Sequence, residues 1–464
     1  MYQDLARLEE FASQIHEGSL SLLESPGVRI EHEFLVQMLL RNGAKGGSGA
    51  SVVRFPRQMV EEYIKLCPRL CVLADQQGQP FCLTANGPQI FWSVPGISYY
   101  RHGEHRPFRS ADMAEMARLL EQLDKVQVVF GMSMEDIPPP ARDVMGLRVM
   151  AENCSKHIRV LCFSPQGAEL LPKMRTVVGD YPWFSIGFTA HGPLRWTNLG
   201  LEIFKCTAGA GIPVSVNGEP MAGVSAPVTL AGAAAVGNAE ILAGLIINQL
   251  LEPGRPCIYN LGLAHVFDMK TALAVTGGPE NALLAQASAV MGRFYDLPSA
   301  SWVSTESMCP DSQAALEKMF GFYTHMAGGV TCIWGVGQLE SELTISPAQA
   351  VIDNEMISYA LRFLRGIEVA PETLALDVVR EVGVAGSFLE VAHTLEHFRS
   401  ELFQPSLLFR NRRGIWEKKG NLRLDQKAEE VADQLIAKPR RTGLSDGQVQ
   451  ELDHMVSEFL LAIS

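Results

Sequence analysis

Short apolar runs alternate with amphipathic segments through the middle of the chain. The amphipathic segments have the 3.6-residue period of a helix, and the apolar runs have the length of buried strands. Seven strands are predicted, at residues 127–132, 158–164, 183–190, 213–219, 256–262, 299–305 and 329–335. Regular alternation of helix and strand predicts a parallel α/β architecture, because helices cover the faces of a parallel sheet.

A (β/α)8 barrel of the TIM type closes this pattern most economically. The eighth strand is not evident, and residues 383–389 are the best candidate for it. An open, doubly wound sheet is the alternative, although no G-x-G-x-x-G motif follows the first strand. We therefore predict an α/β fold with a barrel over residues 110–389.

Helical patterns flank the predicted barrel on both sides. Early helices are predicted at residues 3–24, 31–41 and 55–67. Short strands and an aromatic connection at residues 90–100 follow them, and residues 390–464 are charged and helical. We divide the chain into an N-terminal helical and mixed cap (1–109), the barrel, and a C-terminal helical extension packed on the barrel (390–464).

The strand at 213–219 has one polar face and leads into a long helix of small residues at 228–251. Side chains alternate along a strand, so Ser215, Asn217 and Glu219 lie on the same face. Small side chains let the helix pack closely on the sheet. We expect the polar face to point into the barrel.

Polar and aromatic residues are concentrated at the carboxyl ends of the predicted strands, where barrels carry their sites. Glu219 and Glu306 are the candidate catalytic residues. The candidate substrate-binding residues are His191, Asn217, Tyr259, Asn260, Trp302, Trp334 and Gln338. Two carboxylates among aromatic rings suit a quaternary or tertiary ammonium. Core packing by the tryptophans and strand bridging by Asn217 are the structural alternatives.

Composition narrows the class of partner. The 464 residues are 47% hydrophobic and 19% charged, with a net charge of -12, which disfavours nucleic acid and anionic membranes. Nine cysteines without a C-x-x-C pair indicate reduced thiols in the cytoplasm. We expect no membrane span, and no metal, because His393 and His397 at helical spacing have no evident third ligand.

Several ordered segments resemble the corrinoid-dependent trimethylamine methyltransferase superfamily. They include HEGSLSLLESPGVRI, VRFPRQMVEEYI, APVTLAGAAAVGNAEILAGLIINQLLEPGRPCIY, LTISPAQAVIDNEMISYALRFLRGIEV and DVVREVGVAGSFLEVAHTLEHFRSELFQPSLLFRNR. The resemblance spans nearly the whole chain. It implies a barrel, a cognate corrinoid protein that carries cobalamin, transfer of a substrate methyl group to Co(I), and a homo-oligomer. No cofactor is expected to be bound permanently.

One departure from that superfamily bears on the substrate. Its founding members use pyrrolysine, whereas only standard residues occur here, including the corresponding neighbourhood at 334–342. A quaternary amine is therefore expected, with glycine betaine first and proline betaine, carnitine and γ-butyrobetaine next. Candidate donors to a betaine carboxylate are His191, Arg195, Asn217, Asn260 and Gln338.

Two other functions are compatible with the same residues. A barrel lyase or isomerase could use Glu219 and Glu306 as acid and base, which requires a raised carboxyl pKa. A non-catalytic relative could bind an amine without transferring its methyl group.

Overall fold

The computed structural model describes residues 5–463. Before the barrel the chain forms α1 (Leu5–Glu24), β1 (Val28–Ile30), α2 (Glu33–Arg41), β2 (Lys45–Gly46), β3 (Val52–Arg54), α3 (Arg57–Leu66), β4 (Cys71–Ala74) and β5 (Pro80–Leu83). The three predicted helices are present. The predicted start of the first, at residue 3, lies outside the described residues.

Helices and strands then alternate to residue 345. The elements are β6 (Ile90–Ser93), β7 (Ser98–Arg101), β8 (Glu104–Pro107), α4 (Ser110–Gln122), β9 (Val126–Phe130), α5 (Arg142–Asn153), β10 (His157–Arg159), α6 (Pro165–Ala168), α7 (Leu171–Val178), β11 (Phe184–Ala190), β12 (Arg195–Trp196), α8 (Asn198–Cys206), β13 (Val214–Gly218), β14 (Met221–Ala222), α9 (Leu230–Leu251), β15 (Cys257–Gly262), β16 (His265–Asp268), β17 (Leu273–Val275), α10 (Pro279–Tyr295), β18 (Ser299–Trp302), α11 (Ser312–Gly328), β19 (Cys332–Val336), β20 (Gln338–Leu339) and β21 (Thr344–Ile345). A single 3-10 turn, Pro139–Ala141, precedes α5.

The remainder of the described chain is helical. It contains α12 (Pro347–Leu364), α13 (Pro371–Leu374), α14 (Leu376–Val382), α15 (Ala392–Glu401), α16 (Arg413–Lys418), α17 (Leu424–Ile436) and α18 (Asp446–Ile463). Helix α17 contacts α4 and α12, and α18 contacts α5 and α7. The C-terminal helices therefore pack on the outer helices of the barrel.

Eight parallel strands close into a barrel in the order β6, β9, β10, β11, β13, β15, β18, β19. This confirms the predicted fold class. Each of the seven predicted strands coincides with a barrel strand, with shifted ends. The largest shift is at β10, where only three residues pair.

The eighth strand is β6, so its expected position at residues 383–389 was wrong. Residues 383–389 form turns and are exposed. Strand β6 is only four residues long, all buried, and it has no polar alternation to reveal a strand. It pairs with β19 on one side and β9 on the other. The barrel therefore begins inside the segment that the sequence assigned to the cap.

The lower end of the barrel is closed by the β4–β5 hairpin. The backbone N–H of Ala74 in β4 donates to the carbonyl oxygen of Pro182, shortly before β11. The hydroxyl of Thr331, the residue before β19, donates to the carbonyl oxygen of Thr84, which follows β5. Apolar side chains from the hairpin join those that fill the barrel interior. This cluster includes Leu73, Leu83, Ile90, Trp92, Val128, Phe130, Ile258, Ala300, Trp302, Cys332 and Trp334. Access to the interior is thus from the carboxyl ends of the strands.

Helix α9 packs between α1, α3 and the strands β13 and β15. Among the described residues it alone is long and apolar enough to cross a membrane by length and composition, and 78% of its most apolar window is buried in the fold. An apolar run of membrane-spanning length was not recognised in the sequence, and here it forms a buried core helix. The helix approaches the barrel closely, because a Cβ atom at Gly244 would lie 2.4 Å from Trp196 and 2.6 Å from Val216.

This close approach predicts that Gly244→Ala destabilises the protein. The methyl group would collide with the Trp196 ring, and overpacking of this kind costs about 1–3 kcal/mol, more than the gain in helix propensity. Thermal unfolding should show a lower Tm. The matched control is Gly447→Ala in α18, where a Cβ atom meets nothing within 4 Å. A Tm of Gly244→Ala that equals or exceeds that of the natural protein, as expected for the control, would contradict this packing.

Candidate active site

A pocket of about 390 Å³ opens at the carboxyl end of the barrel. The loops after β11, β13, β15 and β19 and the last residue of β18 form its walls. Its lining residues are Ala190, His191, Gly192, Glu219, Met221, Ser225, His265, Ala274, Thr276, Trp302, Ser341 and Glu342. A larger cleft of about 1040 Å³ lies outside the barrel, between the β7–β8 turn and α17, and it contains none of the strand-end candidates. The strand-end pocket is therefore the candidate active site.

Glu219 follows β13 directly and is on the pocket wall, as the alternation of the strand predicted. Burial raises the pKa of its carboxyl to about 7. A carboxyl with this pKa is partly protonated near neutral pH, and a bound cation would favour its charged form. Glu219 can therefore hold a cation.

A second carboxyl, that of Glu342, stands on the same wall. Burial raises its pKa well above the ordinary value, and the charge of Glu219 raises it further. Burial and the neighbouring charge of Glu219 therefore both disfavour the ionised form of Glu342. The sequence placed residues 334–342 near the site but did not identify Glu342.

A third carboxyl, that of Glu240 on α9, lies behind the pocket wall. Its Oε1 accepts a hydrogen bond from the backbone N–H of Leu194 at 2.7 Å, and its Oε2 has no hydrogen-bond partner among residues 5–463. Burial raises its pKa to about 8, and Glu219 contributes to the rise. The clue in the sequence was a lone acidic residue in the middle of an apolar helix.

Trp302 gives the pocket an aromatic wall. It is 2% exposed, and its ring centroid lies 6.3 Å from that of His265, which is also on the wall. Trp334, the register partner of Trp302 on β19, faces the barrel interior and stacks on Trp92 with ring centroids 5.5 Å apart. Of the two candidate tryptophans, therefore, only Trp302 reaches the pocket.

The two candidate asparagines join neighbouring strands. Asn217 donates to the Thr189 hydroxyl at 3.1 Å, and Asn260 donates to Asn217 Oδ1 at 3.1 Å. The backbone N–H of Gly262 donates to Asn260 Oδ1 at 3.1 Å. Both face the interior, but their amides are engaged with one another and neither lines the pocket.

Tyr259 lies on the opposite face of its strand from Asn260. Its hydroxyl donates to Asn238 Oδ1 on α9 at 2.8 Å, and its ring lies against Tyr295 on α10. Adjacent strand residues point to opposite faces, so Tyr259 and Asn260 cannot both face the barrel mouth. The geometry removes Tyr259 from the candidate site.

Glu306 and Gln338 hold the loops around the pocket. Glu306 Oε1 accepts from the backbone N–H groups of Thr276 and Gly277 at 2.6 and 2.8 Å. The Gln338 amide, oriented to satisfy both its ends, donates to Val303 O at 3.0 Å and accepts from the backbone N–H of Glu342. Neither side chain lines the pocket, and both fix residues that do.

His191 follows β11 on the pocket wall, and burial lowers the pKa of its imidazole. Burial also lowers the pKa of His265. Both imidazoles are therefore neutral at neutral pH and add no positive charge. Arg195, a further candidate donor, donates to His191 O at 3.0 Å and does not line the pocket.

A buried ion pair positions the loop after β19. Lys318 Nζ lies 2.6 Å from Asp353 Oδ2, and both side chains are 0% exposed. Lys318 donates to Gly335 O at 2.8 Å and to Gln338 O at 3.0 Å. Asp353 accepts from the backbone N–H of Gly337 at 2.7 Å. The pair thus holds both strand and loop backbone in place.

Three non-glycine residues follow the backbone that the Lys318–Asp353 pair holds (the Lys318–Asp353 clamp), and all three have left-handed backbone. Their φ angles are 54° at Glu340, 49° at Ser341 and 79° at Glu342. Such conformations are unfavourable for L-residues and persist where surrounding contacts impose them. Here the backbone N–H of Glu340 donates to Ser307 O, and that of Ser341 donates to Thr305 O, both at 2.9 Å. The constrained loop carries Glu342 to the pocket wall.

The histidine pair on α15 does not complete a metal site in the described part of the chain. The rings of His393 and His397 lie 4.4 Å apart, but no third ligand is grouped with them. A grouping of three ligand atoms within 4.8 Å occurs instead at His102, Glu429 and Asp433, beside the outer cleft.

Comparison with known proteins finds relatives that match nearly the whole chain. A sequence model described as trimethylamine methyltransferase (MTTB) matches residues 5–458. Trimethylamine methyltransferase MttB of Desulfitobacterium hafniense is 31% identical over 439 residues, which are 91% of this chain and 87% of that protein. A glycine betaine methyltransferase of the same species is 28% identical over 449 residues, 92% of this chain and 91% of that protein.

Solved structures show a similar fold. The monomethylamine methyltransferase MtmB of Methanosarcina barkeri superposes with a TM-score of 0.55 at 13% identity, covering 94% of this chain and 88% of that one. The hydroxylamine complex of MtmB gives 0.52 at 14% identity, with 96% and 92% covered.

Removing the buried cation should destabilise the protein and displace the loop. Lys318→Met leaves Asp353 charged and unpaired in the interior, which costs about 3–5 kcal/mol. We expect a much lower Tm. The control is Arg413→Met, because the ion pair of Arg413 with Glu417 is at the surface, with an Arg413 side chain that is 80% exposed. A Tm for Lys318→Met equal to that of the control would contradict the clamp.

Glu240→Gln should raise Tm in a pH-dependent way. The pKa of Glu240 is raised to about 8 in the folded protein. As pH rises above the ordinary glutamate pKa, the unfolded chain ionises first, so this residue stabilises the fold at low pH and that stability is lost as pH rises through 8. The variant should therefore exceed the natural protein by at least ~2 °C at pH 8 and differ little at pH 5.

The matched control for this effect is Glu417→Gln on the protein surface. It should shift Tm little at either pH. A Glu240→Gln shift of the same size at both pH values would contradict the buried, unpartnered carboxyl.

Proposed function

Given that the chain belongs to the trimethylamine methyltransferase family, we propose that it moves a methyl group from a methylated amine to the cobalt of a corrinoid carried by a partner protein. The observation that carries the proposal is the arrangement of Glu219, Glu342 and Trp302 around the strand-end pocket. Carboxylates and an aromatic ring attract a cation that offers few hydrogen-bond donors. A methylated ammonium is such a cation.

A quaternary amine suits this chain better than a tertiary one. The sequence contains only standard residues, so the pyrrolysine of the founding relatives is missing. When a methyl group leaves a quaternary nitrogen, the departing tertiary amine is neutral and needs no proton. The protein then has to bind the cation, exclude water and aim one methyl group at the pocket mouth.

Glycine betaine remains the first named candidate, since one relative carries that name. Its carboxylate would need hydrogen-bond donors. On the pocket wall these are the hydroxyl of Ser225, the imidazoles of His191 and His265, and the indole N–H of Trp302, which has no hydrogen-bond partner among the described residues. The hydroxyls of Thr276 and Ser341 already donate to Glu306.

The rim of the pocket supports docking of a corrinoid protein. When bound there, a corrinoid would supply a Co(I) nucleophile that accepts the methyl group, and cobalamin is too large to enter a packed barrel. Exposed apolar residues flank the opening on the loops after β13, β15 and β19. They are Val224 (59% exposed), Val228 (73%), Met269 (78%), Leu273 (64%) and Leu343 (46%). Such a surface fits a protein partner.

The segment from residue 366 to residue 402 supports the proposed homo-oligomer. It contains no buried residue, and Ile367, Val369 and Leu389 are 75–89% exposed. Its helices α13, α14 and α15 have 4, 7 and 10 residues, too short to be stable without packing. A second copy of the chain would cover these side chains.

One observation favours the competing lyase or isomerase. The pKa of Glu219 is raised to about 7, as a general acid or base at neutral pH requires. The two functions differ in their need for a corrinoid. Turnover of a substrate with no corrinoid present would favour the competitor.

Methyl transfer tests the proposal directly. The pure protein, reduced cobalamin and one amine are mixed without oxygen, and methylcobalamin is followed by absorbance. The panel contains glycine betaine, proline betaine, carnitine, γ-butyrobetaine, tetramethylammonium, choline and trimethylamine. We expect transfer from at least one quaternary amine. Glu219→Gln should lower kcat/KM by about tenfold or more, because it removes one charge that holds the cation.

The control for Glu219→Gln is Glu417→Gln on the surface, which should retain full activity. If no amine in the panel methylates the cobalamin, even with the cognate corrinoid protein supplied, the proposed function is wrong.

A further inference from the structure

The charges enclosed around the strand-end pocket have one sign. Of its twelve lining residues, two are glutamates and none is a lysine or arginine. Glu240 stands behind Gly192 on the wall, since a Cβ atom at Gly192 would lie 2.8 Å from Glu240 Oε1. The unpartnered Oε2 of Glu240 is buried in a residue that is 0% exposed. Three carboxyls therefore surround the space that a substrate would occupy.

Two basic side chains that contact the loops of the pocket are committed elsewhere. Arg195 donates to His191 O and is 42% exposed beside Glu31. Lys318 is bonded to Asp353. No basic side chain described in the pocket wall offsets the carboxyls.

One further cation, Arg159, is inside the barrel but at a lower level. It donates to the Ser215 hydroxyl at 3.0 Å and to Val160 O at 3.0 Å. Ser215 precedes Glu219 by four residues along β13, which corresponds to roughly 13 Å. Asn217, bonded to Thr189, lies between these two levels on the same face. Arg159 is therefore not a partner for Glu219.

We propose that Glu219 and Glu342 act as specificity-determining residues that select a methylated ammonium without a carboxylate, such as a tetraalkylammonium or an N-methylated amino alcohol, over betaines. This inference rests on the proposed function, and it departs from the expectation of glycine betaine. The two residues bind the cationic nitrogen of either class. They repel the carboxylate that only a betaine carries.

The expected discrimination follows from the distances involved. In a betaine the carboxylate is attached within a few atoms of the nitrogen, so a nitrogen held by the two glutamates keeps the carboxylate close to them. Like charges in a partly desolvated site repel strongly. We expect affinity for a carboxylate-free cation to exceed that for glycine betaine by about 10- to 100-fold when the glutamates are ionised.

The discrimination should also depend on pH. The titratable groups that face Glu219 are Glu240 on α9, Glu342 on the loop after β19, and His191 and His265 on the wall. Glu306 lies behind Ser341, at 3.4 Å from its hydroxyl. As pH falls, the enclosed carboxyls become protonated, bind the cation less and repel the betaine less. The preference for the carboxylate-free cation should therefore shrink from pH 8.5 to pH 6.

Isothermal titration calorimetry on the full chain, without corrinoid, tests this proposal. The probes are tetramethylammonium, choline and glycine betaine at pH 8.5 and pH 6. At pH 8.5 the first two should bind at least ~10-fold more tightly than glycine betaine. Glu342→Gln should reduce this ratio by about tenfold, because it removes one attractive and one repulsive charge. Glu417→Gln is the matched control, since Glu417 pairs with Arg413 on the protein surface and should leave the ratio unchanged.

The outcomes separate this inference from the proposed function. Glycine betaine binding as tightly as tetramethylammonium at pH 8.5, or a ratio that Glu342→Gln leaves unchanged in a protein with a normal Tm, overturns the inference. Methyl transfer from betaines alone also overturns it and leaves the proposed function intact. The predicted cation preference in a protein that methylates no corrinoid would support the inference and refute the proposed function.

Discussion

The pocket depends on the buried ion pair of Lys318 and Asp353. Two opposite charges removed from water must satisfy one another and their remaining hydrogen-bond valences. Here they do so through the backbone around Gly335, Gly337 and Gln338, where β19 ends. The requirement to satisfy the pair therefore fixes the path of the chain at the strand end. The left-handed residues that follow start from this fixed point, and the carbonyl oxygens of Ser307 and Thr305 hold the first two of them.

The three carboxyls around the pocket belong to three different parts of the fold. Glu219 comes from the polar face of β13, Glu342 from the constrained loop, and Glu240 from the close packing of a small-residue helix on the barrel. Each has its pKa raised by burial, and the charge of Glu219 raises the pKa of the other two. Enclosed carboxyls without basic partners are unfavourable for folding. A site that binds a cation gains affinity from the same unfavourable arrangement, because the ligand supplies the missing charge.

The sequence predicted the parts of this arrangement that follow from periodicity. Alternating helices and strands identified seven barrel strands, and alternation along β13 correctly put Glu219 at the barrel mouth. Periodicity could not identify β6, because four buried residues have no pattern. It also did not decide which residues of β15 face the barrel interior. In the structure Asn260 does, and Tyr259 points outward to α9. Glu306 illustrates another limit, since a strand-end carboxylate can equally bind substrate or backbone N–H groups, and only three-dimensional contacts distinguish the two. The sequence could not predict Glu342 as a pocket residue, because its position depends on left-handed backbone held by residues distant in the sequence.

The central claim is that a methylated ammonium binds between Glu219, Glu342 and Trp302. Crystals soaked with tetramethylarsonium, an analogue of tetramethylammonium that carries an anomalous scatterer, test it most directly. The claim predicts an anomalous peak in the strand-end pocket, within about 6 Å of the Trp302 ring and close to both carboxylates. A peak confined to the outer cleft between the β7–β8 turn and α17, with the strand-end pocket empty, would contradict it.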